Sequence, residues 1–530
     1  MTRVQRILAW AGFTLALSIG SGILLADHLT PPATGKPSHA LPVERAQTEL
    51  DRELVPLLAK HDWQTGALML IDGLDAFAAR AISARRAGRS LDLQYYIWHD
   101  DLTGRLLGRE AYLAAQRGVR VRLLIDDMNA EGLDSKLLAL DKHENVEIRL
   151  YNPFRNRKGI WRLLELAQRV FSVNHRMHNK AWIADGRVAI VGGRNIGEEY
   201  FDAGEDVNFR DLDLLLFGPA VADASKIFDQ YWNSPAAVPL AALTHKYPRE
   251  LEDLVAGVRR EAGSEQAKRY LQRVEASSNV NHYLSEQLQP FWSDKIRIVS
   301  DPPLKWKDDD RSDWLATRIE KALRTSRRKA LLISPYFVPG PGVTKDLMRL
   351  ARHDVEVGVI TNSLAANDVF AVHSGYSKYR PDLLRGGVRL YEIRAQTKQA
   401  GGSGSGDNGG GGSGSMFGSS GASLHTKAFV IDDTHGFVGS FNLDPRSVDL
   451  NTEMGVMFED PGLAVALRNE YLRLASPELS YWVFLDGAGD VRWLDRTQRP
   501  PLLLDREPDT STGKRAITRA IGWLPIESQL

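Results

Sequence analysis

Short apolar runs of strand length recur along the chain, separated by stretches in which apolar positions return every three or four residues. Residues 91–98 (Leu-Asp-Leu-Gln-Tyr-Tyr-Ile-Trp) read as a buried strand rich in aromatics. Helical spacing follows over 104–117, then strands over 119–125 and 146–151. Residues 180–183 and 188–191 predict a hairpin around Asp185-Gly186. The same order returns further on: an aromatic strand over 331–338, a helix containing 347–352, strands over 355–360 and 388–393, and a second hairpin segment. Tyr95 stands 83 residues before His178, and Tyr336 stands 89 before His425. Agreement over so long a span argues for an internal duplication. Strands alternating with helices predict α/β layers. Residues 221–279, rich in Leu, Ala, Glu and Arg, read as helical. The expected organisation is a first lobe over 41–221, a helical connector over 222–295 and a second lobe over 296–530.

The first forty residues read differently. Arg3 and Arg6 precede an uncharged run over 7–26, and Asp27 follows it. A twenty-residue helix matches the ~30 Å hydrocarbon core of a bilayer. The basic flank is expected to stay cytoplasmic, which anchors the chain in a bacterial inner membrane with its lobes on the periplasmic side. A cleaved signal peptide is the alternative; Leu24-Leu25-Ala26 makes a poor cleavage site, while cuts near Ser21-Gly22 or after Ala40 remain open. The 530 residues carry no net charge, which argues against a protein whose main task is gripping nucleic acid. Cysteine is absent, so disulfides and thiolate metal sites are excluded. Residues 401–415 hold only Gly, Ser, one Asp and one Asn. They are expected to form a flexible loop within 399–423, either a tolerated surface insertion or a gate beside His425.

The candidate chemistry is an eighteen-residue pattern that occurs twice, HxKxxxxD followed by G(G/S)xN. The first copy supplies His178, Lys180, Asp185 and Asn195; the second supplies His425, Lys427, Asp432 and Asn442. Attack on a phosphodiester needs a nucleophile, a proton donor for the leaving oxygen, and positive charge near the non-bridging oxygens. Two histidines can divide the first two tasks, since imidazole titrates near working pH. Lys180 and Lys427 are expected to hold the phosphate, with Asn195 and Asn442 as neutral donors to it. Asp211 and Glu453 are the candidate orienting carboxylates, 33 and 28 residues after their respective histidines and each eight before a proline. Asp185 and Asp432 sit in the hairpin turns and are expected to cap backbone donors. Metal ligation is a weaker alternative, because the pattern has no His pair at helical spacing and no Cys. No metal and no cofactor is expected.

The two copies resemble the paired HKD motifs of the phospholipase D superfamily. Within it, residues 93–98, 193–197, 420–425, 442–447 and 523–527 resemble the C-type bacterial cardiolipin synthases. The resemblance implies two α/β/α lobes related by a pseudo-twofold, with mixed sheets and the site at their interface. It implies transfer of a phosphatidyl group through a phosphohistidine, with His178 as nucleophile and His425 as general acid. It also implies crossed orienters, Glu453 for His178 and Asp211 for His425. By themselves the residues do not tell the two histidines apart. The implied partners are phosphatidylglycerol, phosphatidylethanolamine and cardiolipin in a membrane, with no nucleic acid; no residue identifies a protein partner. Hydrolysis, transfer to a small alcohol such as ethanolamine, a nuclease on the same scaffold, and a non-catalytic lipid-binding module are the competing readings. Gly193, where the second copy has Ser440, and the Gly/Ser loop depart from the pattern. Residues 155–180 carry seven cations against Glu165 and read as a basic amphipathic helix, expected either to meet an anionic bilayer or to pack on its lobe.

Overall fold

In each half, three parallel strands are followed by antiparallel ones in the same sheet, so each sheet is mixed. The computed structural model describes residues 35–44, 46–130, 132–154, 174–243, 250–277, 289–395, 423–524 and 527–530. The first sheet comprises β1 (Thr65–Leu70), β2 (Ser90–Tyr95), β3 (Arg120–Asp126), β4 (Val146–Tyr151), β5 (Ala181–Ala184), β6 (Val188–Gly192), β7 (Asp213–Phe217), β8 (Ala237–Pro239) and β9 (Phe291–Ser293). Their order is β8-β4-β3-β2-β5-β6-β7-β1-β9. The second sheet comprises β10 (Ile296–Ser300), β11 (Lys329–Ile333), β12 (Glu356–Asn362), β13 (Arg389–Ile393), β14 (Lys427–Ile431), β15 (His435–Gly439), β16 (Met454–Glu459), β17 (Ser480–Leu485), β18 (Val491–Asp495) and β19 (Leu502–Leu504). Their order is β10-β16-β15-β14-β11-β12-β13-β17-β18-β19. The run β4-β3-β2-β5-β6-β7 of one sheet therefore repeats as β13-β12-β11-β14-β15-β16 of the other.

The central strands are buried on both faces, which is why they read as nearly unbroken apolar runs. In β5, Trp182 and Ala184 face one side and Ala181 and Ile183 the other. Trp182 joins an outer core under the helices Gly73–Arg86 and Leu102–Gln116, whose N-termini are capped by Asp72 and Asp101. Ile183 joins an inner core that also holds Val191 and Leu214 of the first lobe and Val430, Val438 and Val456 of the second. The helices Ala220–Trp232 and Pro461–Leu474 contribute Phe228 and Leu467 to that shared core. A third core lies under Gly340–Arg352 and Phe370–Arg385 on the outside of the second lobe. One apolar cluster thus runs through both lobes, and it fixes one against the other.

The stretch expected to be wholly helical is interrupted. Ala237–Pro239 forms β8, antiparallel to β4 with Tyr151 opposite Ala237. Three residues are too few to show a period of two, so the sequence pattern could not reveal it. β9 pairs with β1, so the first sheet draws two strands from the connector. The helices Ala220–Trp232, Leu240–Leu243, Leu251–Ala262 and Glu265–Ala276 account for the helical character of that stretch. The apolar run 7–26, most of the basic stretch 155–180 and the loop 401–415 lie outside the described residues. Among the described residues no helix is long and apolar enough to cross a membrane.

Candidate active site

Each motif histidine sits just ahead of its strand, in a segment that hydrogen-bonds to the other lobe. Met177 and Thr452 form an isolated parallel bridge, as do Arg210 and Leu424. His178 N donates to the Thr452 carbonyl at 2.9 Å, and Thr452 N donates to the Arg176 carbonyl at 2.9 Å. In the mirrored arrangement His425 N donates to the Arg210 carbonyl at 2.8 Å, and Arg210 N donates to the Ser423 carbonyl at 2.6 Å. Thr452 and Arg210 each immediately precede a candidate acid. Backbone pairing therefore delivers Glu453 to the first-lobe histidine and Asp211 to the second-lobe histidine.

His178 Nδ1 lies 2.8 Å from Glu453 Oε2, and His425 Nδ1 lies 2.5 Å from Asp211 Oδ2. Both Nε2 atoms are turned away from the carboxylates. Lys180 Nζ donates to the His178 carbonyl at 2.6 Å, and Lys427 Nζ donates to that of His425. An ammonium has three donors, so each lysine keeps others for a ligand. Asn195 Nδ2 donates to the Tyr200 hydroxyl at 2.8 Å, while its Oδ1 accepts from Ile97 N at 3.2 Å. Asn442 is buried, and its Oδ1 has no partner. Asp185 and Asp432 stand apart from the histidines, both with positive φ, 55° and 53°. Asp185 accepts from the backbone N–H groups of Gly88, Arg89 and Ser90, and Asp432 from those of Arg327, Arg328 and Lys329. Each ties the hairpin turn to the start of the neighbouring strand, β2 or β11.

The two acids have unequal surroundings. Glu453 is fully buried and accepts from the Ser440 hydroxyl and, at 2.9 Å, from that of Ser447. Burial, only partly offset by Lys180 and the two hydroxyls, pushes its carboxyl up to about 7. Burial acts on Asp211 in the same sense, but His425, Lys427 and Arg194 outweigh it and hold that carboxyl well below the usual range. Gly193 occupies the position of Ser440 in the first copy. A Cβ there would lie 2.2 Å from Asp211 Oδ1, so the shorter acid is accommodated only because this position has no side chain. Burial and the charge of Lys180 drive His178 well below its ordinary value. His425 is also lowered by burial and Lys427, against the pull of Asp211. Desolvation lowers both lysines, Lys427 to about 8.

Several residues that touch the histidines were not singled out in the sequence. The Tyr96 ring meets His178 edge-on at 5.0 Å, and Tyr200 and Phe209 flank His425 at 5.2 and 5.4 Å. Tyr96 belongs to the aromatic run read as core, and nothing in that run distinguishes it. Arg446, whose Nη1 donates to Asn174 Oδ1 at 2.7 Å, adds to the positive field that lowers His178. Among the described residues, the His and carboxylate groups near enough to share a cation are His99, Asp101 and Glu199, none of them a motif residue.

Residues 82–232 and 319–475 match the family described as "Cardiolipin synthase, PLD-like domain". The chain is 41% identical to cardiolipin synthase C of Escherichia coli (strain K12) over 475 residues, 89% of this chain and 98% of that protein. It is 25% identical to cardiolipin synthase B of the same strain over 477 residues, 88% and 93% of the two chains. The crystal structure of a phosphatidylserine synthase from Haemophilus influenzae Rd KW20 superposes with a TM-score of 0.55 at 13% identity, covering 88% of this chain and 95% of that one.

Proposed function

From the premise that the chain belongs to the cardiolipin synthase family of phospholipase D-like proteins, and is an enzyme of that phosphatidyltransferase kind, we propose that it makes cardiolipin by a two-step exchange. In the first step His178 Nε2 attacks the phosphorus of a donor phospholipid, phosphatidylglycerol or phosphatidylethanolamine. The N–P bond forms as the P–O bond to the headgroup breaks, and protonated His425 delivers its proton to the departing oxygen. In the second step His425 takes the proton from a hydroxyl of an acceptor phosphatidylglycerol. That oxygen displaces His178 from phosphorus and cardiolipin leaves. Lys180 and Lys427 hold the non-bridging oxygens, with Asn195 and Asn442 as neutral donors, while Glu453 and Asp211 keep each imidazole in the tautomer whose Nε2 faces the substrate. Asp185 and Asp432 brace the hairpins.

The observation that carries this reading is the crossed pairing of each histidine with the other lobe's acid, at 2.8 and 2.5 Å. The division of roles is supported by the charge balance. Both imidazoles are lowered, His178 the more strongly and so held toward its neutral, nucleophilic form, while ionised Asp211 pulls His425 back toward the imidazolium a general acid needs. Arg3 and Arg6 ahead of the run 7–26 support an inner-membrane anchor with the lobes on the periplasmic side. The test is turnover of labelled phosphatidylglycerol by the purified full chain, with and without phosphatidylethanolamine and with EDTA present. Cardiolipin from wild type but not from His178→Ala or His425→Ala is the expected result. Phosphatidic acid in its place would make the protein a hydrolase, and no turnover of either lipid would overturn the reading.

A further inference from the structure

The helix Thr512–Gly522 turns its apolar face outward. Ala516, Ile517, Ala520, Trp523 and Leu524 stand at i, i+1, i+4, i+7 and i+8 and cover about 120° of the helix circumference. All five are exposed; Ile517 shows 50% of its surface, Trp523 87% and Leu524 52%. The opposite face lies against the protein through buried Thr518 and through Lys514, whose Nζ donates to the Ala365 carbonyl at 3.3 Å and stands 5.0 Å from the Phe370 ring. Residues 511–524 contain three cations, Lys514, Arg515 and Arg519, and no acid. Arg519 is exposed along one edge of the apolar stripe.

The chain beyond this helix is fastened to the rim of the two-histidine site. Glu527 accepts from Lys378 Nζ at 3.3 Å and from the Tyr379 hydroxyl. Asn174 Nδ2 donates to Gln529 Oε1 at 2.7 Å, and Arg446 N donates to the Leu530 carbonyl at 2.6 Å. Asn174 lies four residues before His178, and Arg446 lies next to Ser447, which donates to Glu453. Leu530 follows Trp523 by seven positions, so the stripe ends within about 25 Å of that rim.

We propose that this helix is an interfacial docking element for an anionic phospholipid bilayer. Ile517, Ala520, Trp523 and Leu524 enter the boundary between headgroups and acyl chains, and Arg519 meets the lipid phosphates. Tryptophan suits that boundary because its ring is apolar and its N–H polar. An exposed Arg519 beside an apolar stripe, on a helix that carries no acid, matches an anionic surface. The docking holds the site against the layer from which its substrate comes, and so rests on the lipid-transfer reading above.

Because the chain contains no Cys, Ala520→Cys introduces a single thiol that can carry an environment-sensitive dye. Lys268→Cys, on the exposed face of the helix Glu265–Ala276, serves as control. The labelled full chain is reconstituted into vesicles of phosphatidylcholine with or without phosphatidylglycerol, each doped with a quencher-bearing lipid. Quenching at position 520 about two-fold or more above that at 268, and dependent on phosphatidylglycerol, is expected. Equal quenching at both positions, or none at 520, overturns the proposal; in the second case a protein or a second copy covers the stripe. In a second arm the double variant Trp523→Ser/Leu524→Ser is assayed on phosphatidylglycerol vesicles and on detergent-mixed micelles. Its ratio of vesicle to micelle turnover is expected to fall about ten-fold relative to wild type. Equal loss in both would make the stripe merely structural and overturn the docking role. Wild type that turns over lipid in neither format would defeat the transfer reading alone, since the dye still decides the docking.

Discussion

Glu453→Gln separates the charge of the orienting acid from its shape. Gln fits the same space, and the hydroxyls of Ser440 and Ser447 can rotate to suit an amide, so the local packing survives. On the proposed mechanism, what is lost is the carboxylate that stabilises positive charge developing on His178 as its Nε2 bonds to phosphorus. Removing the corresponding charge in a carboxylate-oriented histidine costs about 10⁴-fold in turnover, and a loss of about 10³ to 10⁴, or 4–5 kcal/mol, is expected here. Stability should respond in the opposite sense. The Glu453 carboxyl rises from 4.5 to about 7 in the folded protein. Across that window the fold holds a proton that the unfolded chain has released, so stability falls as pH rises, by about 3 kcal/mol in all. Gln does not titrate and escapes this penalty.

The assay therefore has two readouts, lipid turnover at fixed pH and thermal unfolding from pH 4 to 8. Relative to wild type, the variant is expected to gain about 3 kcal/mol of stability between pH 4.5 and 7 while remaining nearly inactive. Asp211→Asn supplies the opposite sign. That carboxyl is held low in the fold, so its stabilising contribution is present above its unfolded pKa and lost as pH falls through the lower folded value. The Asn variant should be less stable than wild type throughout pH 4 to 8, with the gap closing only when the titration is extended below that range. Turnover of Glu453→Gln within about ten-fold of wild type, or parallel stability profiles for it and wild type, would refute the reasoning.

Gly193→Ala would place a Cβ 2.2 Å from Asp211 Oδ1. A loss of about 1–3 kcal/mol in chemical denaturation is expected, together with reduced turnover as the acid moves off His425. Asp185→Ala strands the backbone donors of Gly88, Arg89 and Ser90 and puts Ala at a φ of 55°, so it should cost about 3–5 kcal/mol in denaturant titration while the folded fraction keeps its turnover. Lys427 titrates at about 8, so kcat/KM should fall as pH rises through that value and the cation is lost, and Lys427→Arg should move the limb upward in a pH–rate profile.

The central strands were legible because burial on both faces makes them apolar runs, and the duplication was legible because both motif copies keep their distance from an aromatic strand. Strand β8 was not, since Ala237–Pro239 is a three-residue element held by β4 rather than by any pattern of its own. In the site, matched offsets drew attention to Asp211 and Glu453, but a linear offset associates each acid with the histidine of its own half. Only the family resemblance suggested the exchange, and its physical cause is tertiary: the Met177–Thr452 and Arg210–Leu424 bridges put each acid on the other lobe's histidine. Tyr96, Tyr200 and Phe209 were hidden for a different reason. An aromatic that flanks a site and one that fills a core carry the same sequence signal, and only the position of the neighbouring imidazole tells them apart.

The substitutions that distinguish the two halves bear on a single requirement. If both histidines had identical partners, the state with one imidazole neutral and one protonated would divide equally between two mirror forms, and donor and acceptor would meet either histidine as nucleophile. In this chain the longer acid, Glu453, stands with Ser440 and Ser447 around it, and burial dominates its titration. The shorter acid, Asp211, occupies space left by Gly193, and cations dominate its titration. The length of the acid and the side chain at the motif's second small position are therefore coupled: a serine at 193 would collide with Asp211, while at 440 it is a hydrogen-bond donor to Glu453. On the proposed mechanism that asymmetry favours a proton on His425 over one on His178, the more strongly lowered imidazole, and leaves His178 to attack. Because each carboxylate belongs to the opposite lobe, taking away either half removes one histidine together with the acid that orients the other.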